Sequence, residues 1–470
     1  MRIIRILLSC FLMLSFSPLC ARVTLDYNDG YQLFGTVLPT SVLNRECREL
    51  LKQEGNGINE RFFFSTAMYG QKATTARNLK KETSYIGDVH GRLNMVGLLY
   101  GTLPQGVIQP SLLQTAAQQT FQNAPLLGTS IANPTYSDLT QNFGFFTDPG
   151  KYHKVGLRFQ ASVRPFQDLI FTVQAGIADL QQTTNLVGMT LLSTYSTVYP
   201  ANSPTTTSTP PGTLPAGFAL DQTNVEQYLM EPAQQIFQQL GVTVGDIQQT
   251  GAEDVSFYAI LRHNFPVNQD SDPEEWAYFI FTPILQIGAT AAAAKAASPY
   301  KLYDLSLGNN RHQSLNVAAG FSLDFAETLE LDFFTGITHF FSRTYLARVP
   351  TSQLQSTLFP YTTNIISKPG QSWFISLGIN AYHLIDNLSV YAQYLYMAHL
   401  KDKISLVTPD PAFIPSRLEQ DSPFKIQVAN FGFDYDLSPN FAIGLGYQLP
   451  LARRGAYKAN TVLLNLTLTF

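Results

Sequence analysis

The sequence predicts an all-β fold: a transmembrane antiparallel β-barrel of about 12 strands, with about 14 if two hide in the connectors, carrying long extracellular loops that contain short helices. Three observations predict it. Only 14% of the 470 residues are charged, against about 25% in soluble domains. Many short stretches alternate apolar and polar residues with the period of two that belongs to a strand. Long and short connectors alternate along the chain, as they do when all tight turns lie on one side of a membrane.

Composition narrows the class further. The net charge is −4, from 30 Lys plus Arg and 34 Asp plus Glu, with 33 Phe and 23 Tyr. No basic patch points to a nucleic-acid partner. Mean hydropathy is −0.01, which suits a wall that is apolar on one face only.

Arg2 and Arg5, the apolar run Ile6 to Phe16, Pro18 and small Ala21 read as a secretory signal peptide over 1–21. Residues 22–60 read as a periplasmic N-terminal segment, and 61–470 as the barrel. Beyond the signal no apolar run reaches the length of about 18 residues that a membrane helix needs. Without Cys10 and Cys20 the mature chain keeps Cys47 alone, so no internal disulfide forms.

The alternating stretches follow in order: 61–70, 155–163, 169–177, 255–265, 275–289, 314–325, 329–337, 373–384, 388–398, 424–437, 441–449 and 461–470. The sixth is the cleanest, with Leu315, Val317, Ala319, Phe321, Leu323 and Phe325 opposing Ser314, Asn316, Ala318, Gly320, Ser322 and Asp324. The tenth, "FKIQVANFGFDYDL", changes apolar phase near Asn430, as a β-bulge would. In the last, Val462, Leu464, Leu466, Leu468 and Phe470 share one face.

Short links are expected at 164–168, 264–275, 326–328, 385–387 and 438–440. Long ones are expected at 71–153, 178–253, 289–311, 344–370, 402–422 and 450–459. Within the two largest, 71–153 and 178–253, helices are expected over 111–122 and over 224–241 with a break at Pro232. The stretch 202–215 is too rich in Pro and Thr to pack regularly. Residues 94–101 are a candidate for an extra strand.

The polar strand face supplies the candidate site. Lys154, Arg158, Arg262 and Lys425 are its expected inward cations, and Asp324, Glu330, Asp332, Asp434 and Asp436 its anions. The acids fall near the short-turn end. Inward Gly320, Gly336, Gly378, Gly444 and Gly446 are expected to leave room inside. Two signs of charge around an open centre would set which small solutes pass. A plugged, structural interior with the charges paired is the alternative.

Two segments imitate catalytic motifs. Asp88 and His90 in "GDVHG" are similar to the first metal motif of calcineurin-like phosphoesterases, but the later ligand motifs are missing. His312 and Ser314 are similar to the H-x-S of outer-membrane phospholipases, but alternation puts them on the inward face, away from lipid. The sequence is therefore not read as an enzyme. It calls for no catalytic residue, metal or cofactor.

In its signal peptide, alternating strands, unequal loops and terminal aromatic strand, the chain resembles Gram-negative outer-membrane β-barrels of the porin type. The resemblance implies an outer-membrane location among lipid. It also implies passive diffusion of small hydrophilic solutes, and leaves a homo-oligomer open. It implies that Phe470 is the signal read by the barrel assembly machinery. The competing readings are a non-conducting surface structural or adhesion barrel and, behind it, an outer-membrane lipid hydrolase.

Overall fold

The computed structural model describes residues 62–120, 145–188, 226–267 and 279–469, apart from residues 100, 167, 326–327, 386 and 439. The expected signal peptide over 1–21, the segment 22–60, the Pro/Thr-rich stretch 202–215, most of the link 264–275, and Phe470 lie outside the described residues.

Twelve strands form one closed antiparallel barrel. They are β1 (Phe62–Arg77), β2 (Lys151–Phe166), β3 (Leu169–Thr183), β4 (Val255–Arg262), β5 (Phe279–Ala291) and β6 (Ser314–Phe325). The circuit continues through β7 (Leu329–Phe340), β8 (Ser372–Ile385), β9 (Leu388–His399), β10 (Phe424–Ser438), β11 (Phe441–Arg454) and β12 (Ala456–Thr469). Closure is made by β1, which pairs Phe63 with Ser162 of β2 and with Thr469 of β12. Every strand thus has two partners. A wall without an edge is the condition for strands to sit in lipid, where nothing else satisfies backbone groups. Each of the 12 expected stretches became a wall strand. The segment 94–101 did not: Val96–Leu99 is a buried 3₁₀ turn.

Period two sets the sides of the wall. Leu315, Val317, Leu377, Ile379, Leu445 and Val462 are exposed outward, while Asn316, Ala318, Ser376 and Thr461 are buried inward. On β10 the inner face stays the same from end to end: Phe424, Ile426, Val428 and Asn430 are buried, and Lys425 is exposed between them. The expected phase change near Asn430 is therefore a change in the chemistry of the interior, from apolar at Phe424 to Val428 to polar from Asn430 on, with the same face inward throughout. The bulge sits on β11 instead, where Gln427 pairs Ala452 but Val428 pairs Pro450.

The expected long connector 450–459 is also different. β11 and β12 pair with each other as far as Gln448 and Thr461. Beyond that, β11 stays on β10 up to Arg454 and β12 stays on β1 from Ala456. They meet at Gly455, whose φ of +64° favours glycine. Alternation fades there because apolar and polar residues mix on both faces of the projecting strands, with Ala456 buried, Tyr457 and Ala459 buried against connectors and Leu451 exposed, although pairing goes on.

The other long connectors fold over one end. They include α1 (Ser111–Thr120), a π-helical turn at Glu226–Met230, α2 (Ala233–Gln239) and α3 (Pro415–Asp421). Pro232 separates the π turn from α2, as its sequence required. A small sheet of Arg343–Val349, Tyr361–Lys368 and Lys403–Leu406 joins them. Leu93, Leu99, Leu113, Ile236, Phe237 and Leu302, from three connectors, form an apolar core outside the barrel. A second core gathers Ala297, Ala347, Ile365, Ile404 and Leu418.

Candidate functional site: the barrel interior

The inner wall is packed. Ser65, Gln71, Gln160, Asn316, Phe374, Ser376, Gln393 and Asn430 are all inward and buried. At Gly320, Gly336, Gly444 and Gly446 the expected room is filled by neighbouring side chains. A Cβ on Gly320 would stand 2.4 Å from the ring of Phe334, one on Gly336 2.6 Å from Phe374, and one on Gly446 2.6 Å from the hydroxyl of Tyr391. On Gly444 it would meet a carboxylate oxygen of Asp434 at 2.0 Å. Each glycine is a socket for its neighbour. The same relation holds for Tyr69 over Gly156 and Tyr258 over Gly288.

Lys154 and Arg158, four residues apart on the inner face of β2 with Gly156 between them, converge on Glu253. Lys154 Nζ lies 3.1 Å from Oε1 and Arg158 Nε donates to Oε2 at 2.7 Å. Tyr69 donates to the same carboxylate at 2.6 Å. Glu253 belongs to the connector before β4, and its backbone N–H donates to Gly176 O at 2.8 Å. Burial opposes its ionisation, but Arg158 and Lys154 outweigh burial and hold its pKa at about 2. No sequence signal singled out Glu253, because it sits in a long connector outside the alternating pattern.

The other candidates are distributed. Asp324 and Glu330 are cross-strand partners on β6 and β7. Glu330 accepts from Tyr382, and Asp332 accepts from Asn380 Nδ2 at 2.7 Å. Asp434 and Asp436 are partly buried on the inner face of β10. Arg262 is buried at the short-turn end of β4, with its backbone N–H on Asp168 O at 2.9 Å. Lys425 is the correction: it faces outward at the long-connector end. Hydropathy alone points it inward because its neighbours Phe424 and Ile426 are apolar, but here the apolar face is the inner one.

Those neighbours belong to an apolar layer inside the barrel. Ile260, Ile284, Phe334, Phe374, Leu395 and Ile426 are among its members. The apolar layer crosses the interior obliquely: it reaches the short-turn end at Ile170 and Ile260 and the connector end at Phe374 and Ile426, with Asp324, Glu330 and Asp332 below it on β6 and β7 and the Lys154–Glu253–Arg158 cluster above it on the β2 side.

The two catalytic look-alikes have other partners. His312 is buried and donates Nδ1–H to Phe341 O at 3.0 Å. Burial is the main reason its pKa falls to about 4. Asp88 accepts from Thr147 and from the backbone N–H of Asp148 at 3.3 Å. Burial pushes its pKa up. Both residues hold connector backbone in place.

A different Arg closes the connectors over the mouth. The guanidinium of Arg348 is buried and donates to five backbone oxygens: Pro299 at 2.6 Å, Phe359 at 3.1 Å, Pro360 at 2.8 Å, Leu240 at 2.7 Å and Gly241 at 3.2 Å. One side chain thus ties together three connectors.

No protein-family model matches the chain, and no curated protein matches it. Among solved structures it is similar to an outer membrane channel from Pseudomonas putida F1, at 9% identity over 88% of this chain and 97% of that one, with a TM-score of 0.43. It is similar to the translocator domain of autotransporter NalP from Neisseria meningitidis, at 9% identity over 92% and 97%, TM-score 0.30. It is also similar to the P. putida toluene transporter TodX, at 10% identity over 88% and 91%, TM-score 0.31. Similarity at this level says nothing about a solute. The closed antiparallel wall, apolar outside, is itself the architecture of a multi-pass outer-membrane barrel.

Proposed function

We propose that this chain is an outer-membrane channel for passive passage of small hydrophilic solutes, held shut in the conformation described by its own connectors. The observation that carries this reading is the make-up of the inner wall: carboxylates at the short-turn end of β6 and β7, an apolar layer that crosses the interior obliquely from Ile170 and Ile260 to Phe374 and Ile426, and connectors that cover the mouth above it. An apolar constriction can gate by excluding water. The cover is fastened by a few side chains, Glu253 and Arg348 foremost. Their release would break no backbone pairing in the wall.

The second reading is a non-conducting surface barrel. Its support is the connector core around Leu99, Leu113 and Phe237, which is built like a small domain. Swelling of proteoliposomes in isosmotic sugars separates the two. The channel reading expects uptake of small sugars by vesicles carrying the Glu253→Gln chain, above the wild-type rate. Uptake no faster than in protein-free vesicles for both chains would favour the surface barrel.

A further inference from the structure

The sequence was not read as an enzyme, yet the fold assembles a serine, a histidine and an aspartate at the long-connector end of β8 and β9. Ser372, the first residue of β8, is the cross-strand partner of His399, the last residue of β9. The Ser372 hydroxyl lies 2.8 Å from His399 Nδ1. His399 Nε2 lies 2.9 Å from Asp402 Oδ1, three residues on in the connector. No spacing motif announces the set, because an antiparallel pairing brings Ser372 and His399 together from either end of a long hairpin.

The arrangement has a direction. A carboxylate accepts only, so the His399 proton sits on Nε2, and the lone pair of Nδ1 faces the serine hydroxyl. Asp402 is fixed from other sides. Gly370 N–H donates to Oδ1 at 2.7 Å, and the Asp402 N–H donates to Ser422 Oγ at 2.8 Å. Gly370 can approach because it lacks a Cβ, which would stand 2.1 Å from Leu400 O. Asp402 Oδ2 is buried and makes no hydrogen bond. A carboxylate with one bare buried oxygen is costly as a mere strand cap. Beside an imidazole that becomes charged, it is an electrostatic partner.

Access is one-sided. His399 and Asp402 are each 1% exposed, while Ser372 is partly exposed. The ring of Phe424 stacks on His399 at 5.2 Å and Phe340 meets it edge-on at 6.1 Å. The base is dry and flanked by apolar rings, which suits an apolar acyl group.

We infer that Ser372, His399 and Asp402 form a serine-hydrolase relay that cleaves carboxylic esters with an apolar acyl group at the barrel mouth. Ser372 Oγ attacks the ester carbonyl as His399 Nδ1 takes its proton. The tetrahedral adduct collapses, the C–O bond breaks, and the leaving alkoxide takes that proton and departs as the alcohol. Water then attacks the acyl-serine, giving its proton to Nδ1. The second collapse returns the proton to Ser372 Oγ and releases the acid. Ester and water become acid and alcohol. Ser372 and His399 are the catalytic residues, and Asp402 is the positioning residue. The inference stands apart from the channel reading.

The test uses the full chain refolded in lipid, with heat-modifiable gel migration reporting the folded barrel. A fluorophosphonate probe should label Ser372, as mapped by mass spectrometry, and Ser372→Ala should lose the label. His399→Gln and Asp402→Asn should label at least about 100-fold more slowly while still folded, the usual scale for a lost base. Asp402→Glu should recover part of the rate. Hydrolysis of p-nitrophenyl butyrate assigns a soluble ester, and hydrolysis of phosphatidylcholine in vesicles assigns a lipid one. Wild-type labelling no higher than that of Ser372→Ala overturns the inference. So does labelling without cleavage of either ester.

Discussion

Arg158 on β2 donates its Nε–H to Oε2 of Glu253 at 2.7 Å, fastening the connector before β4 to the inside of the wall. Lys154 makes the same carboxylate the shared anion of two cations. The folded pKa of Glu253 is about 2, below its ordinary 4.5. A depressed carboxylate stabilises the fold fully above its unfolded pKa and loses that contribution as pH falls through the folded value. Connector closure should therefore hold at neutral pH and weaken between about pH 4.5 and 2, as followed by proteolysis of residues 226–254 with an acid-active protease. Glu253→Gln should remove the pH dependence in that window and cost roughly 3 kcal/mol, since it takes this anion from buried Lys154 and partly buried Arg158.

Arg348→Met should leave the barrel folded and loosen the cover. Five backbone oxygens lose their donor. Unmet buried acceptors cost about 1–3 kcal/mol each. Cleavage of connector 341–371 by a protease should speed up by at least about tenfold, the equivalent of about 1.4 kcal/mol. Unchanged cleavage would show that the carbonyl contacts do not hold the connectors.

Val317, outward on β6 and 46% exposed, should tolerate Leu and reject Arg. Refolding into lipid should give a cost of roughly 2–4 kcal/mol for Val317→Arg, the range for a charge at the bilayer midplane. Equal stabilities of the Leu and Arg variants would put Val317 away from lipid.

Gly336→Ala should destabilise by about 1–3 kcal/mol, the usual cost of overpacking, because its Cβ would stand 2.6 Å from the Phe374 ring and 2.7 Å from Ala318. Combining it with Phe374→Leu should recover part of the loss. A purely additive loss in the double variant would count against the socket relation.

The wall was legible because lipid enforces it. A strand that faces hydrocarbon on one side must alternate, so Val317 against Asn316 or Leu445 against Gly446 declared their sides without any tertiary information. Two kinds of residue escaped. Where the interior is itself apolar, as at Phe424 and Ile426, hydropathy no longer marks the inner face, and Lys425 was turned the wrong way. Where a contact comes from a connector, as with Glu253 or Asp402, no period exists to place it. The inward glycines were visible as small residues, but their role depends on which ring lies across the strand pair, and register is a tertiary property.

Single-channel recording in planar bilayers tests the closed-channel account most directly. The wild-type chain should insert and stay mostly silent at neutral pH, whereas Glu253→Gln, alone or with Arg348→Met, should give stepwise ohmic conductance. In that open background, Glu330→Gln with Asp332→Asn should shift the reversal potential toward anions. The shift should shrink at about 1 M salt, where screening acts within about 3 Å. Insertion of both released variants without a single conductance step would contradict the account.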